Sequence, residues 1–188
     1  MIKLVNVCKK FENNKVIDNF NVIINKGEKV AFIGESGKGK TTLFKVLIGI
    51  ENIDEGVIEN NKNDISVSFQ EDIFANNFSI KDNIDLILDK ETDFNSIQKN
   101  LNDMGINKKP SDKINTLSIG MKRRVSTIRA FRSDRKIIML DEPFAGLDIE
   151  SINLTKKYIK ENIKDRTLII FTHSKEMVED LVDKIYKL

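Results

Sequence analysis

Apolar positions in the first quarter of the chain fall into three different rhythms. IKLVNV and KVIDNFNVIIN alternate or cluster β-branched residues and are joined by a polar turn, which predicts an antiparallel pair of strands. KGEKVAFIG differs, because residues 30–33 form a short unbroken apolar run ending in glycine. That is the pattern of a strand buried on both faces. KTTLFKVLIGI then shifts to helical spacing at Leu43, Val46, Leu47 and Ile50, and GVIENNKNDISVSFQ predicts two more short strands.

From about residue 73 to residue 115 the chain turns polar and helical, in IKDNIDLIL and FNSIQKNLNDMG, which predicts an inserted helical lobe. Helix continues through MKRRVSTIRAFRS. KIIML and TLIIF are two more candidates for buried strands, with a helix over residues 151–163 between them. Apolar strands separated by a helix predict a parallel sheet, and ligands of such sheets lie beyond the carboxyl ends of the strands.

With 188 residues the chain can bury one sizeable core. The 31 basic and 29 acidic residues nearly cancel, so bulk charge gives no reason to expect nucleic acid or an anionic membrane as the main partner. Any anion must be held locally. Cys8, the single cysteine, has no internal disulfide partner and reads as a small buried apolar residue, which fits a reducing compartment. The start MIKLVNVCKKFENN lacks the features of a signal peptide, and no apolar run approaches 18 residues. The expectation is a soluble chain with no direct membrane insertion, whose membrane association goes through another protein.

GESGKGKT, residues 34–41, matches G-x-x-x-x-G-K-[ST] and sits between the strand and the helix that this motif requires. Glycines let the backbone wrap phosphate oxygens, and amides at the helix start point at them. Lys40 can span the β and γ phosphates, and Thr41 can offer its hydroxyl to Mg²⁺. KIIMLDE supplies acids at the end of a buried strand. Asp141 would hold Mg²⁺ through water, and Glu142 would orient or deprotonate an attacking water. Pro143 then stops the strand.

The order of these motifs resembles the ATP-binding subunit of ABC transporters along nearly the whole chain. The resemblance implies an α/β fold: a phosphate-loop ATPase with a mainly parallel core sheet, an antiparallel β subdomain and an inserted helical subdomain. It implies one ATPase domain over residues 1–188, with a nucleotide-binding core at 1–72 and 130–188 and a helical subdomain at 73–129. ATP and Mg²⁺ are the implied cofactors. In the loop, Gly34, Ser36, Gly37, Gly39, Lys40, Thr41 and Thr42 match the family's Walker A residues. Phe11 matches the aromatic that stacks on adenine, the alternative being an ordinary core phenylalanine. Gln70 in SFQED matches the glutamine that links Mg²⁺ to the helical lobe, His173 after TLIIF matches the switch histidine, and DEPFAGLD carries Glu142 to a loop ending at Asp148.

LSIGM stands where the family has the signature LSGGQ, which closes over the ATP of a second subunit. Alone, its serine reads first as a helix cap and the cations after it as a solvated face. Ser118 and Gly120 are kept, while Ile119 and Met121 depart from the pattern. A backbone amide donates whatever its side chain, so Ile119 matters only if that position needs positive φ or very close ligand approach. The cations of KRRVSTIRAF are expected to serve packing, solvent and local field. The implied function is an ATPase subunit that dimerises, with itself or with a different ATPase, and serves integral membrane subunits from the cytoplasmic face. SFQED, LSIGM and DEPFAGLD look most like importers of the nitrate, sulfonate or taurine type. The rivals are a soluble ABC ATPase outside transport and a nucleotide-gated binding module with little turnover.

Overall fold

β1 (Ile2–Phe11) and β2 (Asn14–Ile24) pair antiparallel as their alternation predicts, and β4 (Glu55–Glu59), which follows β3 (Lys29–Ile33) and α1 (Lys40–Ile48), adds to the free edge of β1. The order of this sheet is β2-β1-β4. A computed structural model describes residues 1–12, 14–35, 37–71, 73–88 and 91–188. The second sheet has the order β5-β6-β7-β3-β8, from β5 (Ile65–Ser68), β6 (Ile137–Asp141), β7 (Thr167–Thr172), β3 and β8 (Lys184–Lys187). The pairs β6 with β7, β7 with β3 and β3 with β8 are all parallel. The fold is therefore α/β with a parallel core sheet and a separate antiparallel sheet.

The chain divides into two compact units, one of Met1–Ser66, Arg135–Asp141 and Asp165–Leu188, the other of Val67–Asp134 and Glu142–Lys164. In the first, β6 and β7 are buried along their whole length, which is why their sequences are unbroken apolar runs. Phe32 of β3 lies between two aromatic rings, Phe171 at 5.0 Å and Tyr186 at 5.4 Å, and Phe44 of α1 meets Phe171 edge-on at 5.5 Å. This cluster anchors α1 against the sheet. Ile50 is not on the buried face of α1 that its spacing suggested, because the helix ends at Ile48 with Gly49 as its cap and Ile50 is exposed. β8 was not foreseen: KIYK has two lysines and only half-buried apolar residues, as an edge strand allows.

The second unit holds α2 (Ile80–Leu88), α3 (Phe94–Asp103), α4 (Ile119–Arg132) and α5 (Ile149–Ile163). α4 packs against each of the other three. Asp93, Ser118 and Asp148 each cap a helix by accepting a hydrogen bond from a backbone N–H of the first turn. Ile84, Ile97, Leu101, Val125, Ile128 and Ile159 supply its core.

Candidate functional site

The candidate residues divide between the two units. In the first unit the register of the parallel strands does the positioning. Ile33 pairs with Thr172, and Asp141 pairs with Phe171, so β6, β7 and β3 end side by side. Asp141 closes β6 at 2% exposure, His173 follows β7 and is exposed, and Gly34 follows β3, its amide donating to the Thr172 carbonyl at 3.4 Å. All three thus stand at the carboxyl edge of the sheet, where the crossover topology leaves room for a ligand. Gly34, Lys38 and His173 line a cavity of about 440 Å³ there, together with Lys187 and Leu188 at the end of β8.

The phosphate loop has the backbone its glycines permit. Gly37 and Gly39 have φ of 84° and 88°, and Gly39 is also the cap residue of α1. A Cβ on Gly39 would stand 2.9 Å from the carbonyl oxygen of Val16, so that position excludes a side chain twice over. At Gly37 a Cβ would meet nothing within 4 Å, which leaves the loop open on that side. Lys40 is only 8% exposed, and its ammonium donates to the carbonyls of Gly34 at 2.6 Å and Glu35 at 3.1 Å. The cation is thereby folded back over the loop. Thr41 is exposed in the first turn of α1 and Thr42 half-buried. Ser36 lies outside the described residues. Phe11 is 44% exposed at the end of β1, hence outside the core, with the Lys9 ammonium 5.0 Å from its ring centre. Lys9 is itself paired with Glu51 at 2.9 Å, and the hydrogen bond to that carboxylate raises the pKa of its ammonium.

In the second unit Gln70 is exposed two residues after β5. Glu142 is 7% exposed and takes a left-handed backbone with φ 47°, uncommon for a residue with a side chain. Its carbonyl accepts the Ala145 N–H at 3.1 Å, closing the turn after β6. Ser118 caps α4, its Oγ accepting from the Met121 N–H at 3.2 Å. The same hydroxyl keeps its own hydrogen to donate, so capping and phosphate binding are compatible. Ile119 opens α4 without positive φ and is 75% exposed, so its replacement of glycine does not disturb the helix start. Gly120 has a different requirement: a Cβ there would come within 3.1 Å of Leu147. Asp148 caps α5 through a 2.7 Å bond from the Ser151 N–H.

Residues 17–145 match the family described as ABC transporter. The chain belongs to the ABC transporter family. It is 32% identical over 208 residues to a thiamine import ATP-binding protein of Histophilus somni, covering 100% of this chain and 94% of that protein. It is 31% identical to a methionine import ATP-binding protein of Clostridium tetani and 32% identical to a ribose import ATP-binding protein of Clostridium perfringens, covering 98% and 95% of this chain. Of those two relatives it spans 65% and 40% of the length. A solved ATP-binding subunit of an ABC transporter superposes with a TM-score of 0.86 at 20% identity, over 100% of this chain and 85% of that one. These relatives are named as ATP-binding proteins, and members of the ABC transporter family bind ATP.

The residues present suit that ligand. The open side of Gly37 and the inward Lys40 ammonium fit a polyphosphate. Among the described residues no group of three or more His, Cys, Asp or Glu could hold a metal by itself. Thr41 and Asp141 carry oxygens of the kind that would hold Mg²⁺ beside substrate phosphates, since that ion needs only one or two protein ligands there.

The arginines of α4 are the functional surprise. Arg123, Arg124 and Arg129 are all less than 10% exposed. Rather than facing solvent, they donate to backbone carbonyls: Arg123 to Gln70 and Glu142, Arg124 to Met104 at 2.6 Å, and Arg129 to Ile73 at 2.9 Å. Burial lowers the pKa of the Arg124 guanidinium, against the opposing pull of Asp148 and Glu150. A signal existed in the sequence, since α4 contains no acidic residue with which these cations could pair along the helix.

The Asp148 cap has a measurable consequence. The bond from the Ser151 amide holds its carboxyl pKa below the ordinary value. A depressed folded pKa contributes stability that is complete above the unfolded pKa and is lost as pH falls through the folded one. Asp148→Ala is expected to lower the melting temperature at pH 7 by about 3 °C, and by less in acid below that pKa. An equal difference across the pH range in calorimetry would refute the carboxylate's part in the cap.

Proposed function

We propose that this chain is the ATP-hydrolysing subunit of an ABC import system. Two subunits sandwich two ATP molecules, and hydrolysis reopens the sandwich and drives separate membrane subunits. The observation that carries the reading is the phosphate loop, with its left-handed glycines and buried Lys40 at the sheet edge that also presents Asp141 and His173. On this reading the chain is one ATPase domain, with its nucleotide-binding core at 1–72 and 130–188 and its helical subdomain at 73–129, bounds that differ from those of the two compact units, where α5 goes with the other helices of the second.

Each candidate residue then has a role. Phe11 stacks on adenine, the Walker A residues cradle the phosphates, and Thr41, Gln70 and Asp141 serve Mg²⁺. Glu142 polarises the attacking water while Lys40, Gln70 and His173 stabilise the transferring phosphoryl group. Ser118 and Gly120 of one subunit close over the γ phosphate held by its partner, with Asp148 nearby in the same loop system. Loss of the γ phosphate removes the contacts that favour the closed dimer. The relatives are named as import proteins for several unrelated solutes, a wider range than the nitrate, sulfonate or taurine type suggested by SFQED and LSIGM. Cargo selection therefore belongs to other subunits. Among the described residues no helix is long and apolar enough to cross a membrane. The proposed place of the chain, on the cytoplasmic face through those subunits, rests on its likeness to import ATP-binding proteins.

Light scattering on purified Glu142→Gln protein tests this reading. ATP with Mg²⁺ is expected to double the mass, and the further change Ser118→Arg is expected to abolish the doubling by placing bulk where the partner's phosphate must sit. A monomer at saturating ATP would refute the homodimer and favour a different ATPase as the second half of the site.

A further inference from the structure

Arg123 lies just over one helical turn beyond Ser118 in α4 and is 7% exposed. Its Nη1 donates to the carbonyl of Glu142 at 2.8 Å and its Nη2 to the carbonyl of Gln70 at 2.6 Å. These oxygens belong to the two residues assigned above to water activation and to the Mg²⁺ link. They sit on segments 19 and 53 residues away in the chain, so nothing local holds them in register. A planar guanidinium fixes two acceptors at a set separation, as a single ammonium does not.

The two segments need such a fastener for different reasons. Glu142 sits in a strained left-handed conformation, which persists only where its surroundings over-determine it. Its carbonyl is held twice, by the Ala145 amide and by Arg123. That backbone sets the point and angle from which its side chain leaves the chain. Gln70 is exposed and lies two residues beyond the end of β5, outside its ladder. Contacts on either side of Gln70 reach the same helix. Ser126 and Ser68 share a buried 2.9 Å hydrogen bond, and Arg129 holds the Ile73 carbonyl while lying 4.6 Å from the Phe74 ring. Arg123 is the residue that reaches both Gln70 and Glu142.

We propose that Arg123 is a positioning residue for ATP hydrolysis, clamping the backbones of Gln70 and Glu142 so that the amide and the carboxylate face the same phosphoryl group. The inference rests on the roles given above to those two residues. Arg123 acts through them and not on the nucleotide, so its removal lowers the rate of the chemical step and leaves ATP binding intact.

The test compares wild type, Arg123→Gln, Arg123→Lys and Glu142→Gln in the purified full chain. Hydrolysis kinetics are measured beside fluorescent-nucleotide affinity, melting temperature and hydrogen exchange of the Ala145 amide. For Arg123→Gln, kcat is expected to fall about 10- to 100-fold, with KM and nucleotide affinity within about twofold. The Ala145 amide, bonded to the clamped carbonyl, is expected to exchange faster. Arg123→Lys keeps the charge but loses the planar fork that holds the two carbonyls at a set separation, and its kcat is expected to fall between those of wild type and Arg123→Gln. A wild-type kcat in either variant overturns the clamp. So does a loss that follows the melting temperature while Ala145 exchange stays unchanged. Glu142→Gln separates the two layers: if it hydrolyses ATP normally, the role of Glu142 is wrong, whereas an inactive Glu142→Gln beside an active Arg123→Gln removes the clamp alone.

Discussion

Glu142→Gln is expected to lower ATP turnover about 10³-fold, within the range by which a positioned general base accelerates a reaction. The substitution is close to isosteric, so it tests the charge and not the shape. Glu142 is nearly buried, and its backbone is held by the Ala145 amide and the Arg123 guanidinium, neither of which depends on the carboxylate. The amide should occupy the same place without taking a proton from water. Loss of kcat at unchanged nucleotide affinity would locate the missing interaction in the transition state. Single-turnover phosphate release beside a fluorescent-nucleotide titration measures both quantities. A rate within threefold of wild type would remove Glu142 from the reaction and leave its water-handling role to another group of the site.

How much of this site could be read from the chain depends on whether the physics was local. The phosphate loop is contiguous, and its glycines, lysine and threonine are each required at a fixed offset from a strand end, so GESGKGKT identifies itself. β6 and β7 were legible because central parallel strands must be apolar on both faces. KIYK is an edge, where lysines are tolerated, and so β8 gave no such signal although its end lines the cavity beside Gly34. Ile50 failed for the opposite reason, an apolar residue that continued the helical spacing past the Gly49 cap. The left-handed backbone of Glu142 depends on the turn after β6, and no residue type at that position announces it.

Arg123 shows the deeper limit. On a helical wheel its charge reads as a solvated face, yet residues 123–130 of α4 are all buried. The cost of burying the cation is offset by carbonyls that arrive from positions 70 and 142, contacts that only the tertiary structure brings together. Arg123, Arg124 and Arg129 serve packing, as expected of the cations in this run, and are buried on carbonyls instead of facing solvent. At Ser118 the hydroxyl caps the helix, and the proposed phosphate contact would use the hydrogen that the cap leaves to it, so the two readings are compatible.

Lys40→Ala is expected to weaken ATP binding about 100-fold, the loss of charge-assisted hydrogen bonds from a buried cation to phosphate. The side chain does more than supply charge. Its ammonium is held by the Gly34 and Glu35 carbonyls at the start of the loop, on the near side of the residues that wrap the phosphates. An incoming phosphate competes for the ammonium with those carbonyls, which is a lighter demand than stripping a fully hydrated lysine of its water. Truncation leaves both carbonyls without that donor, so the loop should also lose order, seen as faster amide exchange over residues 34–40 even without nucleotide. Lys40→Arg distinguishes the two effects: it keeps the charge and can still bond a carbonyl, but its larger planar head fits poorly in a loop closed at Gly39 by the Val16 carbonyl. Arginine should therefore restore loop protection more than affinity. If Lys40→Ala binds ATP within threefold of wild type, the phosphate loop does not hold the nucleotide through its lysine, and the assignment of the site to the carboxyl edge of β3, β6 and β7 fails with it.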